Sequence, residues 1–215
     1  FLGRDKTTQP EDPYLTNLDH DLIMPLDLKL HNKQIDFIIN CSGCASPYFY
    51  ERFPLETMDV STIGTRNVLT LALKHNARVM NFSSSEVLGT PPAEFIPTKE
   101  DCTPTALTLD KRSCYDVTKM YIETLSYVFR DQFNLDCKII RPFNVVGYFR
   151  QDDKRVMPNF ISKCLREEPI NVYAPGDQTR AFCWYGDFLA GTNPKDAAHP
   201  WTRLKTNLDM NAQWG

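Results

Sequence analysis

No run in these 215 residues is long and apolar enough to cross a bilayer; the longest, such as Phe37-Ile38-Ile39, have the length of a strand. The first residues lack the charged and apolar regions of a secretory signal, so the expected setting is aqueous and cytoplasmic, with an organelle left open. Positive charge is not concentrated anywhere. With 24 Lys and Arg against 27 Asp and Glu, a net charge of -3 and a pI near 5.8, and no basic run or helix face, a nucleic-acid surface is excluded. The expected partners are small molecules or proteins. A disulfide scaffold is missing too: the seven cysteines are odd in number and irregularly spaced. Cys41, Cys114, Cys137 and Cys164 sit in apolar stretches, which predicts buried thiols in a reducing compartment. Cys41-Ser42-Gly43-Cys44 has the spacing of a redox or zinc pair, but no second pair or His cluster accompanies it, so no metal is expected. Finally, neither G-x-x-G-x-x-G nor G-x-G-x-x-G occurs. The glycine-rich turn that seats a phosphate at a helix N-terminus is therefore not in the sequence.

What is present reads as a globular α/β chain, 42% hydrophobic and 24% charged. Residues 1 to about 30 give no confident element. Ile35 to Asn40 is a short apolar run closed by Ser42-Gly43, as in a buried strand and turn. A helix comes next, from about Leu55 to His75, with Asn76 as its stop, then a strand from Arg78 to Phe82 ending in Ser83-Ser84-Ser85-Glu86. Thr90 to Thr108, rich in Pro and Thr, reads as a long loop. A helix from Tyr115 to about Phe133 precedes a third strand, Cys137 to Arg141, ending in Pro142-Phe143-Asn144. Strand, helix, strand, helix, strand at this spacing predicts a parallel sheet with covering helices, whose ligands bind at the carboxyl ends of the strands. That places Ser84 to Glu86, Asn144 and Tyr115 on one side. Beyond Arg150 the pattern predicts a helix over 156–166, a strand over Ile170 to Tyr173 and a turn at Pro175-Gly176-Asp177. The chain thus divides into 1–150, a partial dinucleotide-binding domain, and 151–215, a smaller lobe over the open edge of the sheet. The tail from Gly191 carries no motif.

The stretch Arg112-Ser113-Cys114-Tyr115-Asp116-Val117-Thr118-Lys119 puts a phenol and an ammonium four residues apart, on one face of a helix. An ammonium held beside a tyrosine favours the phenolate and would bring its pKa down toward the working pH, which makes a base for a sugar hydroxyl. Alone, the spacing fits an exposed polar pair as well. Ser84 alone equally satisfies backbone groups at a strand end, Glu86 a solvated loop, Arg180 a surface ion pair and Asn144 a turn.

In order along the chain, Ala45-Ser46-Pro47, Ser84-Ser85-Glu86-Val87, Arg112-Ser113-Cys114-Tyr115 with Lys119, Arg141-Pro142-Phe143-Asn144, Arg155-Val156 with Asn159-Phe160, and Gln178-Thr179-Arg180-Ala181-Phe182 with Asp187 resemble the extended short-chain dehydrogenase/reductase superfamily. Within it they are nearest the UDP-glucuronate decarboxylase branch. The resemblance implies a Rossmann-like doubly wound parallel sheet with a small C-terminal substrate-binding lobe, NAD as cofactor and a UDP-sugar as substrate. It implies Tyr115 as base, Lys119 as ribose binder and pKa depressor, Ser84 as hydrogen-bond donor to the sugar C4 oxygen and Glu86 as acid/base carboxylate. Ser42, Ser46 and Ser61, with Tyr115 and Lys119, are the implied cofactor contacts. Asn144 and Arg180 are the implied holders of the diphosphate. The Glu86 carboxylate disfavours a simple C4 epimerase, whereas a 4,6-dehydratase shares it.

The sequence departs from that pattern at several positions. Ser61 stands where the family has an Asn, Leu88 replaces a Tyr, Val146 and Tyr148 replace a Tyr and a Pro, and Ala174 replaces a Gly. Phe1-Leu2-Gly3-Arg4 resembles the segment just after the family's second strand, so the first strand-helix-strand is expected either to lie in a longer protein or to have been lost. These features leave two functions. The first is a homodimeric NAD-dependent sugar-nucleotide enzyme that decarboxylates UDP-glucuronate to UDP-xylose through a 4-keto intermediate. The second is a catalytically inactive relative with a structural role in a larger assembly.

Overall fold

The fold was analysed in a computed structural model that describes residues 14, 16, 18–26, 34–103, 108–147, 155–172, 174–176 and 179–192. Tyr148, Tyr173, Gln178 and the tail beyond 192 lie outside the described residues, as does the 150/151 boundary.

The first strand, β1, runs Phe37–Asn40 and is followed by the short helix α1, Pro47–Tyr50. The long helix α2, Pro54–His75, begins with proline in its first turn and ends where Asn76 turns left-handed at φ 51. These are the local signals that start and stop a helix. Strand β2 spans Arg78–Phe82. Helix α3, Ser113–Phe133, starts two residues before the sequence suggests and ends at a left-handed Asn134, and strand β3 is Cys137–Ile140. The three strands form a parallel sheet in the order β1-β2-β3, with Phe37 opposite Arg78 and Phe82 opposite Ile140. Parallel strands joined by α2 and α3 form the Rossmann-like arrangement expected.

Helices α2 and α3 lie along each other on one face of the sheet. Small residues are buried on both: Ser61, Gly64 and Thr65 on α2, and Thr118 and Ser126 on α3; a Cβ on Gly64 would meet Leu22 at 3.3 Å, so that glycine makes room for the segment before β1. One contiguous core joins Val68, Leu69, Leu71 and Ala72 of α2 to Val79, Phe129, Leu135 and Cys137. Residues 20–26 strap across α2, where Asn67 donates to the carbonyls of Leu22 and Met24 at 2.8 and 3.2 Å. Beneath the strands runs a buried polar network that the sequence does not announce. Asn40 Nδ2 donates to Asn81 Oδ1 at 2.9 Å and to Thr65 Oγ1 at 3.3 Å, and Asn81 Nδ2 donates to Ser126 Oγ at 2.7 Å. These bonds satisfy amides that would be costly to bury alone, and they tie both helices to the sheet.

Past β3, a short strand β4, Asn144–Val146, pairs in parallel with β5, Phe182–Trp184. This pair joins segments from either side of the expected boundary. Helix α4 spans Val156–Leu165, and α5 spans Tyr185–Thr192. Ile170 to Val172 do not form the expected strand; β4 takes β5 as its partner instead. The cysteine expectation holds only in part. All seven are free thiols, and Cys137 is buried, but Cys41 and Cys164 are exposed because the first comes after the end of β1 and the second lies on the open face of α4. Among the described residues no helix is long and apolar enough to cross a membrane, and no three His, Cys, Asp or Glu side chains are grouped to hold a metal.

Candidate active site

Because the three strands are parallel, their carboxyl ends share one edge, and the segments that leave them meet there. A cleft of about 1270 Å³ opens at this edge, lined by Ser46 and Tyr50 after β1, Ser84 and Glu86 after β2, Asn144 and Val146 of β4, and Arg155, Arg166 and Arg180 beyond. Arg112 and Tyr115 line it from the start of α3.

Ser84 ends β2 in extended conformation and caps the 3₁₀ turn Ser85–Leu88, its Oγ accepting from Glu86 N at 3.2 Å. The same hydroxyl faces the Tyr115 phenol closely enough to favour its ionised form. The strand-end reading of Ser84 is thus observed, and its hydroxyl also faces the phenol expected to act on a substrate. Tyr115 is buried, and its ring stacks on that of Tyr50 at 5.1 Å between centroids and 16° between planes. One turn along α3, the Lys119 ammonium donates to Phe82 O at 2.7 Å and stands 5.6 Å from the Tyr115 ring centroid.

The electrostatics correct one expectation. The Tyr115 phenol is pushed up, not down: burial dominates, with the Ser84 hydroxyl opposing it. Lys119 takes the large shift itself, down to about 8, because its ammonium is desolvated. Burial acts against the charged form of each group, and an ammonium bonded to a strand carbonyl does little for the phenolate next door. Tyr50 is pushed up to about 12, again by burial first. Its hydroxyl is buried with no hydrogen-bond partner.

Glu86 does not stand free at the cleft. Its Oε2 accepts from Arg112 Nη2 at 2.8 Å. Asp116, next to Tyr115, is raised to about 6 by burial first and then by the Glu86 charge, with Arg112 opposing. Arg112, Tyr50 and Asp116 were not among the expected site residues. Only the fold brings Tyr50 and Glu86 to them.

The remaining expected contacts divide into two sets. After β1, Ser42 N and Oγ both donate to Asn40 Oδ1, at 3.2 and 2.6 Å, which sets the loop leading to Gly43. Gly43 has φ +128, and a Cβ there would lie 3.4 Å from Ser61 Oγ and 3.6 Å from Lys119 Nζ. Ser61 is buried and its hydroxyl has no partner. Lys119 uses one of three N–H groups on Phe82 O. A loop held clear of a spare hydroxyl and spare ammonium donors is a fit for ribose hydroxyls, and so for the nicotinamide end of NAD. Ser46 stands half-exposed at the cleft before α1. In the other set, Asn144 Nδ2 donates to Ala181 O at 3.0 Å, tying β4 to the chain before β5, and Arg180 Nη1 donates to Thr179 O at 3.0 Å. Both line the cleft. At the end of β3, Arg141 grips Glu123 with two parallel bonds of 2.8 and 2.7 Å, holding α3 to the sheet.

Comparison with known proteins agrees with this architecture. The chain is 37% identical over 180 residues to UDP-glucuronic acid decarboxylase 6 of Arabidopsis thaliana, covering 83% of this chain and 50% of that protein. It is 36% identical over 175 residues to UDP-glucuronic acid decarboxylase 1 of Danio rerio, covering 81% of this chain and 40% of that one. The chain thus spans half or less of the length of these two relatives. Among solved structures, UDP-N-acetylglucosamine 4-epimerase from Methanobrevibacter ruminantium M1, in complex with UDP-N-acetylmuramic acid, superposes with a TM-score of 0.76 at 24% identity, covering 87% of this chain and 61% of that one. The sequence profile described as "NAD dependent epimerase/dehydratase family" matches residues 4–192, and the chain belongs to that family.

Proposed function

We propose that this chain carries the reacting centre of an NAD-dependent nucleotide-sugar enzyme that decarboxylates UDP-glucuronate. The observation that carries the reading is the meeting of the Ser84 hydroxyl, the Tyr115 phenol and the Lys119 ammonium at the carboxyl end of β2, where Ser84 and Tyr115 line a cleft large enough for a sugar nucleotide and Lys119 is buried behind them. NAD, when bound, would supply the acceptor and later the donor of the sugar C4 hydride. Tyr115 removes the C4 hydroxyl proton, and Ser84 hydrogen-bonds the same oxygen and orients it. A C4 ketone leaves the glucuronate carboxylate beta to a carbonyl, the arrangement that releases CO₂. Glu86 then delivers the proton that replaces CO₂ at the carbon that carried it. Lys119 and Ser61 hold ribose hydroxyls, with Ser42 and Ser46 shaping the loop opposite. Arg180 and Asn144 hold the diphosphate, for which a guanidinium fork is suited.

The decarboxylase relatives support the choice of reaction, and the Glu86 carboxylate beside Tyr115 is consistent with it. Nothing among the described residues supports the inactive structural subunit as the alternative. The same reading extends to a homodimer: the outer faces of α2 and α3 expose Met58, Ile63, Tyr121 and Tyr127, apolar surface suited to a two-fold interface.

The test is conversion of UDP-glucuronate to a UDP-pentose in the presence of NAD, followed by mass spectrometry, for the wild type and Tyr115→Phe. The variant keeps its melting temperature and loses about 10³-fold in turnover. Wild-type turnover in Tyr115→Phe overturns the assignment of the base. Because burial pushes the Tyr115 phenol up and Lys119 down to about 8, kcat/KM rises with pH as phenolate forms and levels off above about 8, where the gain of phenolate is offset by the loss of the ammonium.

A further inference from the structure

Resting on the acid/base reading of Glu86, we propose that Arg112 is a positioning residue that holds the Glu86 carboxylate at the cleft, and that Asp116 is the second acceptor to which the guanidinium turns when Glu86 takes up a proton.

The geometry leaves one donor and one acceptor waiting. Arg112 sits at the N-cap of α3 with φ -87 and ψ -14 and makes no capping bond with its side chain. Its Nη2 is committed to Glu86 Oε2 at 2.8 Å, but its Nε is buried without a partner. Four residues on, Asp116 Oδ1 is buried without a partner as well. The i,i+4 spacing puts the two on one face of the helix. A guanidinium has five donors in a rigid fork, so it can pass from one carboxylate to the other by a small rotation.

The charges around the pair support the exchange. Asp116 is faced by Glu86 from the 3₁₀ turn and by Arg112 and Asp110 from the loop before α3, while Tyr50 of α1 and Tyr115 and Cys114 of α3 feel its charge. Of these, Glu86 holds its proton affinity up and Arg112 opposes. A carboxylate that gives and takes a proton in each turnover changes its charge each time. An arginine paired with it alone would be left as an uncompensated, half-buried cation at every cycle, a costly state. Asp116 supplies the compensating charge and keeps Arg112 in place until Glu86 is ionised again.

The experiment is a carboxyl ¹³C NMR titration of Asp116 in the full chain without cofactor or substrate. Glu86→Gln lowers the Asp116 midpoint from about 6, by about half a unit or more. Arg112→Gln raises it by a similar amount. Arg112→Lys restores the midpoint but not the fork, so kcat for UDP-glucuronate drops about tenfold with KM little changed. The proposal is overturned if Glu86→Gln and Arg112→Gln both leave the midpoint within about 0.2 unit, or if Arg112→Lys turns over like the wild type. The titration requires no turnover, so it tests the exchange between Glu86 and Asp116 even where the decarboxylase assay fails.

Discussion

The two sides of the cleft are built differently. On the side of β1 to β3, Leu69, Val79 and Ile122 are almost wholly buried, the strand-end polar groups are bonded to one another, and two long helices brace the sheet. On the side of α4 and β5, α4 contains no buried residue, and Ile161, Leu165, Phe182, Trp184 and Leu189 are exposed. The groups assigned to proton transfer stand on the packed side. The candidates for holding the nucleotide stand on the open one. Proton transfer depends on placements to fractions of an ångström, which a dense core and a polar network can hold. Holding a long, flexible diphosphate does not need such rigidity, and surfaces that close on ligands are drawn from the less stable parts of a fold.

The sharpest way to break this comparison is to load a charge on each side. Leu69→Asp buries a carboxylate between α2 and the sheet and costs about 4 kcal/mol or more, enough to abolish a cooperative melt. If Leu69→Asp melts like the wild type, the packed side is not what holds the site. Next in size is Lys119→Met. Its folded pKa of about 8 lies below the ordinary 10.5, so the folded state binds fewer protons than the unfolded one between those values. The charge therefore costs stability at pH 7, and the stability of the wild type rises from about pH 8 to 10.5. Lys119→Met gains about 2 kcal/mol at pH 7, the relieved desolvation less the lost bond to Phe82 O. Urea titrations at pH 7 and near pH 10.5 check this, and the gain vanishes at the higher pH. Arg180→Ala, on the open side, raises KM for UDP-glucuronate about tenfold with kcat and melting temperature unchanged. A fall in kcat alone would move Arg180 into the reaction. The smallest effect is Leu165→Asp, on the exposed face of α4, within about 0.5 kcal/mol of the wild type by urea denaturation.

Parts of this site were legible because they are local. The Tyr115 and Lys119 pair comes from helical spacing, and the extent of α2 comes from a periodic apolar face that stops at Asn76. Ser84 was legible as a strand-end residue, and its contact with Tyr115 is a consequence of the parallel sheet. Other parts were not. Glu86 and Arg112 are 26 residues apart, and no local pattern marks them as an ion pair. Tyr50 lies in a short helix that no motif marks, yet its ring is buried against Tyr115. The strand expected over Ile170 to Tyr173 looked as apolar as any, whereas β5 at Phe182 to Trp184 is three residues long and takes its identity from β4.

The sequence by itself determined the order of β1, α2, β2, α3 and β3, the parallel α/β class and the family, because periodicity, helix caps and collinear motifs are properties of short stretches. It also determined that a phenol and an ammonium share a helix face. Tertiary structure alone decided which charges those groups carry. Burial of Tyr115 and Lys119 moves both away from their ionised forms, and burial is a sum over distant neighbours that no stretch of sequence contains. It also decided the partners of Glu86, since a carboxylate, a guanidinium and a second carboxylate meet only when β2 and α3 have been packed side by side.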